Sequence, residues 1–276
     1  MTQPPANPYA APAATSAPAD AFTGDDAERF ARDRFLLKQK LFAILNETYK
    51  VFAEDETVLL HVRRPRKIAG NMLATAVMVV LMIVAFGAGF LAHALIDRTA
   101  GAIIGFTIGS ILIIGAVAVG ILLRPRRHLV FCRDQALSQP VLHVSQDNRL
   151  TFPIAWFTLR DSSGTVIARL RKNVLWDLLR RRWTIHAPDG AVRWLAMEDS
   201  MLKSLIRRLA PDFIAAFMRT NFVFMDPGSR RILGTFNRKL AFRDHYALDL
   251  TADPERQLDR RVAVAAAVLL DTGERR

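Results

Sequence analysis

Two long apolar runs, separated by one charged pair, dominate the hydrophobic pattern of this chain. No formally charged residue lies between Ile68 and Ile96, and none between Thr99 and Leu123; only Asp97 and Arg98 interrupt them. Each run exceeds the roughly 20 residues that an α-helix needs to cross a ~30 Å hydrocarbon core. Lipid admits only segments that satisfy their own backbone hydrogen bonds, so the pattern predicts a transmembrane helical hairpin over 68–123, with spans 68–96 and 100–123. Gly101, Gly105 and Gly109 recur every four residues in the second run, followed by Ala116 and Gly120. Such a face predicts close packing of the two helices, with Gly87, Ala88 and Gly89 as the receiving face.

On both sides of the hairpin the pattern changes to short runs of β-branched and aromatic residues. Three precede it: Phe35–Phe42, Tyr49–Phe52 and Thr57–Val62. Nine follow: Leu129–Cys132, Val141–Ser145, Ile154–Leu159, Val166–Arg171, Trp183–His186, Val192–Leu195, Asn221–Met225, Ile232–Phe236 and Tyr246–Leu250. Polar turns such as Asp161-Ser-Ser-Gly164, Ala187-Pro-Asp-Gly190 and Asp226-Pro-Gly-Ser229 separate them, which reads as strands. Phe157–Lys172 and Phe222–Lys239 share a loose F-x-[LF]-x-D…G spacing, the mark of a repeated hairpin and an antiparallel meander. So many short strands favour a barrel or sandwich, since closure removes exposed edges.

Two helical segments interrupt the strands. Asp199–Met218 carries Leu202, Leu205, Ile206 and Leu209 at helical spacing and breaks at Pro211. The second is predicted over 254–271, with Asp253 as N-cap and Pro254 at the first helical position. Its Val262–Leu270 segment is apolar on every face yet covers only ~13 Å, too short for a bilayer, so it belongs inside protein. An alanine-rich helix suits the lumen of a narrow barrel. Residues 1–24, with five prolines and eight alanines, read as a disordered tail. The chain thus divides into that tail, opening strands over 25–67, the hairpin over 68–123 and the rest of the barrel over 124–276.

Charge adds direction. The net charge is +12 over 276 residues, and residues 124–276 hold 27 basic against 16 acidic side chains. Arg63, Arg64, Arg66 and Lys67 precede the first span, and Arg124, Arg126 and Arg127 follow the second. Positive charge resists translocation, which places both termini in the cytoplasm and makes this a multi-pass protein of an inner or plasma membrane. A basic domain tethered there meets anionic lipid before nucleic acid. Arg169, Arg171, Lys172, Arg180, Arg181, Arg182, Arg230, Arg231, Arg238 and Lys239 are the candidate lipid-binding residues, expected to converge on one rim; a basic surface that serves only solubility is the alternative. Val174–Leu179, ahead of three arginines, reads either as an interfacial segment with Trp176 at headgroup depth or as a core-packing turn. The single Cys132 excludes an internal disulfide and reads as a buried strand thiol, with S-palmitoylation as the alternative.

Enzyme signatures are weak. Ser200-Met-Leu-Lys203 matches S-x-x-K without the motifs that accompany it in hydrolases. No phosphate-binding glycine loop or nucleophile elbow occurs, and the six histidines show no metal-ligand spacing. The expectation is a non-enzyme with no cofactor and no metal.

The chain resembles the tubby-like superfamily, specifically its LURP-one-related and phospholipid scramblase branch. The resemblance rests on Leu37–Phe42 with Tyr49–Phe52, on Phe157…Asp161…Gly164…Ile167-Ala168…Lys172, on Arg181-Arg182-Trp183…Ile185, and above all on Tyr246–Leu250 followed by Leu258–Asp271. It implies a twelve-stranded antiparallel barrel around a buried C-terminal helix, without a catalytic centre, in members linked to phosphoinositide binding or lipid scrambling. Two features depart from that pattern. The inserted hairpin is one. The other is the stretch where scramblases bind calcium, which here mixes Asp244, Asp249, Asp253 and Asp259 with Arg243, Arg256, Arg260 and Arg261, a poor set for a cation that wants six to eight oxygens. The function expected is binding or sensing of anionic phospholipid headgroups; the alternatives are lipid scrambling and a membrane-tethered protein scaffold.

Overall fold

The computed structural model describes residues 25–39, 46–65, 68–95, 98–123, 125–175, 177, 181–199, 221–239 and 245–274. The 1–24 tail, the 199–218 helix beyond Asp199, Trp176, Arg180 and the S-x-x-K match lie outside them. A six-residue helix α1 (Asp25–Phe30) leads into β1 (Arg34–Gln39), β2 (Asn46–Phe52) and β3 (Val58–Pro65). Helices α2 (Ile68–Leu95) and α3 (Arg98–Leu123) follow. Then come β4 (His128–Cys132), β5 (Pro140–Gln146), β6 (Ile154–Asp161), β7 (Val166–Asn173), β8 (Arg182–His186), β9 (Val192–Glu198), β10 (Asn221–Met225), β11 (Ile232–Lys239), β12 (His245–Asp249) and the terminal helix α4 (Arg260–Glu274).

The twelve strands pair antiparallel with their sequence neighbours, and β1 pairs with β12, so the sheet closes into an up-and-down barrel. Alternation decides what points inward. Phe35 and Leu37, Phe131, Leu142 and Val144, Phe157 and Leu159, Trp183 and Ile185, and Phe222 and Phe224 all face the lumen and are buried. That lumen is filled by α4, in which no side chain from Val262 to Leu270 is more than 4% exposed. Alanines at 263 and 265–267 keep the helix slim where the barrel wall carries its aromatics, among them the stacked pairs Phe157–Trp183 and Phe236–Tyr246.

The start of α4 differs from the prediction over 254–271. Asp253 does not cap a helix beginning at Pro254; the chain first makes a turn in which Arg256 has φ of 55°. Asp253 accepts the Gln257 and Leu258 N–H groups and an Arg260 Nη1 bond. The helix begins only at Arg260, where Asp259 Oδ1 accepts the Arg261 N–H in the capping role. Two capping carboxylates six residues apart were available, and the barrel wall selects the later one.

The connections of an up-and-down barrel alternate between two ends. Five hairpins (β2–β3, β4–β5, β6–β7, β8–β9, β10–β11) turn at one rim. Each has a register shift in its last pairs before the turn, and such bulges add the twist that curls a sheet toward closure. Each also carries an aspartate whose carboxylate accepts a turn N–H: Thr57 on Asp55, Ser138 on Asp134, Thr165 on Asp161, Ala191 on Asp189 and Ser229 on Asp226. This repeated device is the repetition visible in the sequence. The chain enters at that end through α1, whose Asp26 is paired to Arg133.

The other rim bears the hairpin, inserted between β3 and β4. Helices α2 and α3 contain 23- and 24-residue segments long and apolar enough to cross a membrane. They meet through backbone: a Cβ on Gly105 would lie 2.5 Å from the Gly89 carbonyl oxygen, and Gly109 faces Gly89 and Ala85. Gly101 is also buried. Of the expected receiving residues, Gly89 lies on this face, with Ala85 one turn before it, whereas Gly87 points away with nothing within 4 Å. Gly105→Ala is expected to destabilise the hairpin by about 1–3 kcal/mol, the usual cost of overpacking, read as a lowered unfolding midpoint in detergent micelles.

Candidate functional site

The two rims differ in charge. Among the described residues, the connections at the hairpin-bearing rim carry Arg126, Arg127, Arg149 and Arg181 against Asp147, Asp177 and Asp199. Those at the opposite rim (53–57, 133–139, 162–165, 187–191, 226–231 and 250–259) carry 4 basic and 9 acidic ones. The opposite rim is therefore net acidic, whereas the rim that bears both apolar helices is not, and Arg63, Arg64 and Arg182 at its strand ends add to its basic side.

Of the ten basic residues expected to converge, the structure separates two. Arg230 and Arg231 lie in the β10–β11 turn, at the rim opposite the hairpin, and Arg231 is 3.6 Å from Glu255. They cannot join a surface at the other end. Arg238 and Lys239 end β11 at the hairpin-bearing rim, and their side chains, like Arg180, lie outside the described residues. Arg169 is exposed on the outer wall of β7. Arg171, also outward, stands over the Trp156 ring at 5.7 Å, and that ring is 5.1 Å from His186. Lys172 points inward, 3.0 Å from Asp177 and 5.3 Å from the Trp183 ring. Arg182, exposed at the start of β8, donates its backbone N–H to Asp177, and Arg181 is half-buried beside it.

Other basic residues complete this rim. Arg63 and Arg64 end β3, and Arg126 and Arg127 precede β4. Arg64 and Arg127 flank a small crevice at the barrel mouth, floored by Leu129, Phe157, Leu269 and Thr272 at the end of α4. Cations there also complement the carbonyl end of the helix dipole. Arg149, in the β5–β6 loop, was not expected: its Nη1 donates to the Leu122 carbonyl near the end of α3 at 2.7 Å. No local sequence signal marks it, because the contact exists only once the barrel has closed beside the hairpin.

Among the described residues no three His, Cys, Asp or Glu side chains are placed to share a metal ion. The acidic stretch before α4 is bound to arginines: Asp253 to Arg260, Asp259 to Arg261 and Asp249 to Arg34. Cys132 is fully buried, and burial raises its thiol pKa, so it is inaccessible to acylation.

The carboxylates that cap the opposite rim predict an acid response. Backbone N–H bonds from Ser138 and Gln139, then the Ser138 hydroxyl, lower Asp134 from an ordinary 3.8 to about 2. Asp55 is lowered by its Thr57 bonds, and Asp226 chiefly by the Ser229 hydroxyl. A carboxylate depressed in the fold stabilises it above the unfolded-state value and loses that contribution as pH falls through the folded value. Urea midpoints are expected to decline between about pH 4 and pH 2, and the decline to be shallower in Asp134→Ala.

No family model, curated protein or solved structure matches the chain.

Proposed function

We propose that α2 and α3 anchor the barrel in a membrane and that the hairpin-bearing rim binds anionic phospholipid headgroups, without catalysis. The observation that carries this reading is the coincidence of the two features at one end. The rim that must face the bilayer once the hairpin is inserted is the rim that carries Arg64, Arg126, Arg127, Arg149, Arg181 and Arg182, and the rim with 9 acidic against 4 basic residues in its connections faces away. Each lysine or arginine near an anionic leaflet contributes on the order of 1 kcal/mol. The basic flanks of both spans support a cytoplasmic barrel and cytoplasmic termini at an inner or plasma membrane. The twelve-strand closure around α4 is the architecture that the tubby-like resemblance implies, and it supports membership of that group.

Reconstitution of the full chain into nanodiscs of zwitterionic lipid, with or without an anionic lipid, tests the proposal. Barrel unfolding followed by tryptophan fluorescence is expected at higher temperature in the anionic discs, with a difference that shrinks as salt rises. Arg181→Glu with Arg182→Glu reduces the difference, and Arg230→Glu with Arg231→Glu leaves it in place. Equal midpoints in both discs at low salt would overturn headgroup recognition.

A further inference from the structure

Outside the two long helices, six large apolar side chains among the described residues are substantially exposed, and the rims sort them. Val58, Val192 and Ile232, at strand starts on the acidic rim, are 38–46% exposed. Leu150, Phe152 and Leu175 are 52%, 56% and 53% exposed, and all three stand on the hairpin-bearing rim.

The loop that carries Leu150 and Phe152 is firmly built. Asn148 Nδ2 donates to the Leu150 and Ile154 carbonyls, and Asn148 Oδ1 accepts the Trp156 N–H. Gln146 Nε2 donates to the Asn148 carbonyl at 2.6 Å. The neighbouring β7–β8 connection is joined to it by the Val174 N–H on the Pro153 carbonyl at 2.9 Å. The scaffold holds Leu150 and Phe152 outward, where water makes their exposure unfavourable in proportion to apolar area. Arg149, between them and Asn148, reaches the Leu122 carbonyl near the end of α3. The apolar tip therefore begins one residue from a direct contact with the end of α3.

We propose that Leu150, Phe152 and Leu175 insert into the headgroup–acyl boundary of the bilayer that the hairpin crosses, as a second, shallow point of attachment that fixes how the barrel sits on the membrane. Arg149 accompanies them as the cation at headgroup depth, the usual partner of an interfacial apolar face. This inference rests on the membrane reading above, and adds to it an apolar contact that does not depend on anionic lipid.

The test uses full-length protein in vesicles, labelled one position at a time with an environment-sensitive fluorophore on introduced cysteines: Leu150→Cys, Phe152→Cys, Ser163→Cys in the β6–β7 turn, and Ile83→Cys within α2. Labels at 150 and 152 are expected to emit to the blue of the Ser163 label, to be quenched by a spin label near the top of the lipid chains, and to resist aqueous iodide. Loss of acyl-chain quenching at 150 and 152, with Ile83 still quenched by a deep spin label, would overturn the insertion and leave the span intact. Protection of 150 and 152 from both quenchers would mean a protein contact and would also overturn it. Iodide access at Ile83 would overturn the membrane reading itself.

Discussion

Replacing Arg260 by methionine is expected to cost the barrel about 3–5 kcal/mol, measured by urea denaturation of the full chain in micelles. The guanidinium is 4% exposed and its partner Asp253 is fully buried, at 2.7 Å. Arg260 also reaches Asp33, at 2.7 Å, and donates to the Asp253 and Leu258 carbonyls. It therefore joins the approach to β1, the turn after β12 and the first residue of α4 in one network at the acidic rim. Methionine matches the stem but leaves the fully buried Asp253 carboxylate without its cationic partner. Lysine is expected to recover only part of the loss, because a single ammonium cannot reproduce the planar fork that engages several oxygens at once. A midpoint unchanged by Arg260→Met would mean that α4 is held by its apolar girth alone.

Trp183→Ala is expected to be of similar size, about 3–5 kcal/mol, the range for truncating a large buried aromatic. Trp183 is 1% exposed, stacked on Phe157 with centroids 5.6 Å apart, and lies below Lys172. Its indole N–H has no hydrogen-bond partner among the described residues. Trp183→Phe should therefore cost much less, since it loses volume but no polar bond. A phenylalanine variant as damaging as alanine would show that the indole makes a contact beyond packing. The same substitution removes the aromatic seat of Lys172, so the alanine variant is also expected to loosen the basic rim.

Periodicity and length made most of this architecture legible. Twenty-odd uncharged apolar residues in tandem can satisfy themselves only as helices, and alternation with aspartate-bearing turns marks each hairpin. The apolar stretch Val262–Leu270 announced a buried helix because no surface tolerates it. The helix start was misplaced because Asp253 and Asp259 are both competent caps, and only the lumen's depth chooses between them. Which basic residues share a rim was not legible, for a topological reason. In an up-and-down barrel each connection lands at the end opposite its predecessor, so one miscounted strand exchanges the rims for every later loop. Arg230 and Arg231 group with the other cations by charge alone until their turn is followed to the end it reaches, and Arg149 stands out in no charge cluster because its loop holds only one cation. Similarly, Arg171 and Lys172 are adjacent in sequence yet face opposite sides of the wall.

The most direct measurement is contact mapping with an anionic phospholipid that carries a photoreactive headgroup, using full-length protein in vesicles and mass spectrometry of the cross-linked peptides. Cross-links are expected on the peptides that contain Arg149, Arg181 and Arg182, and not on the 226–231 turn. Cross-links concentrated on the turns that hold Glu54–Glu56 and Arg230–Arg231 would place the acidic rim against the membrane and contradict the account.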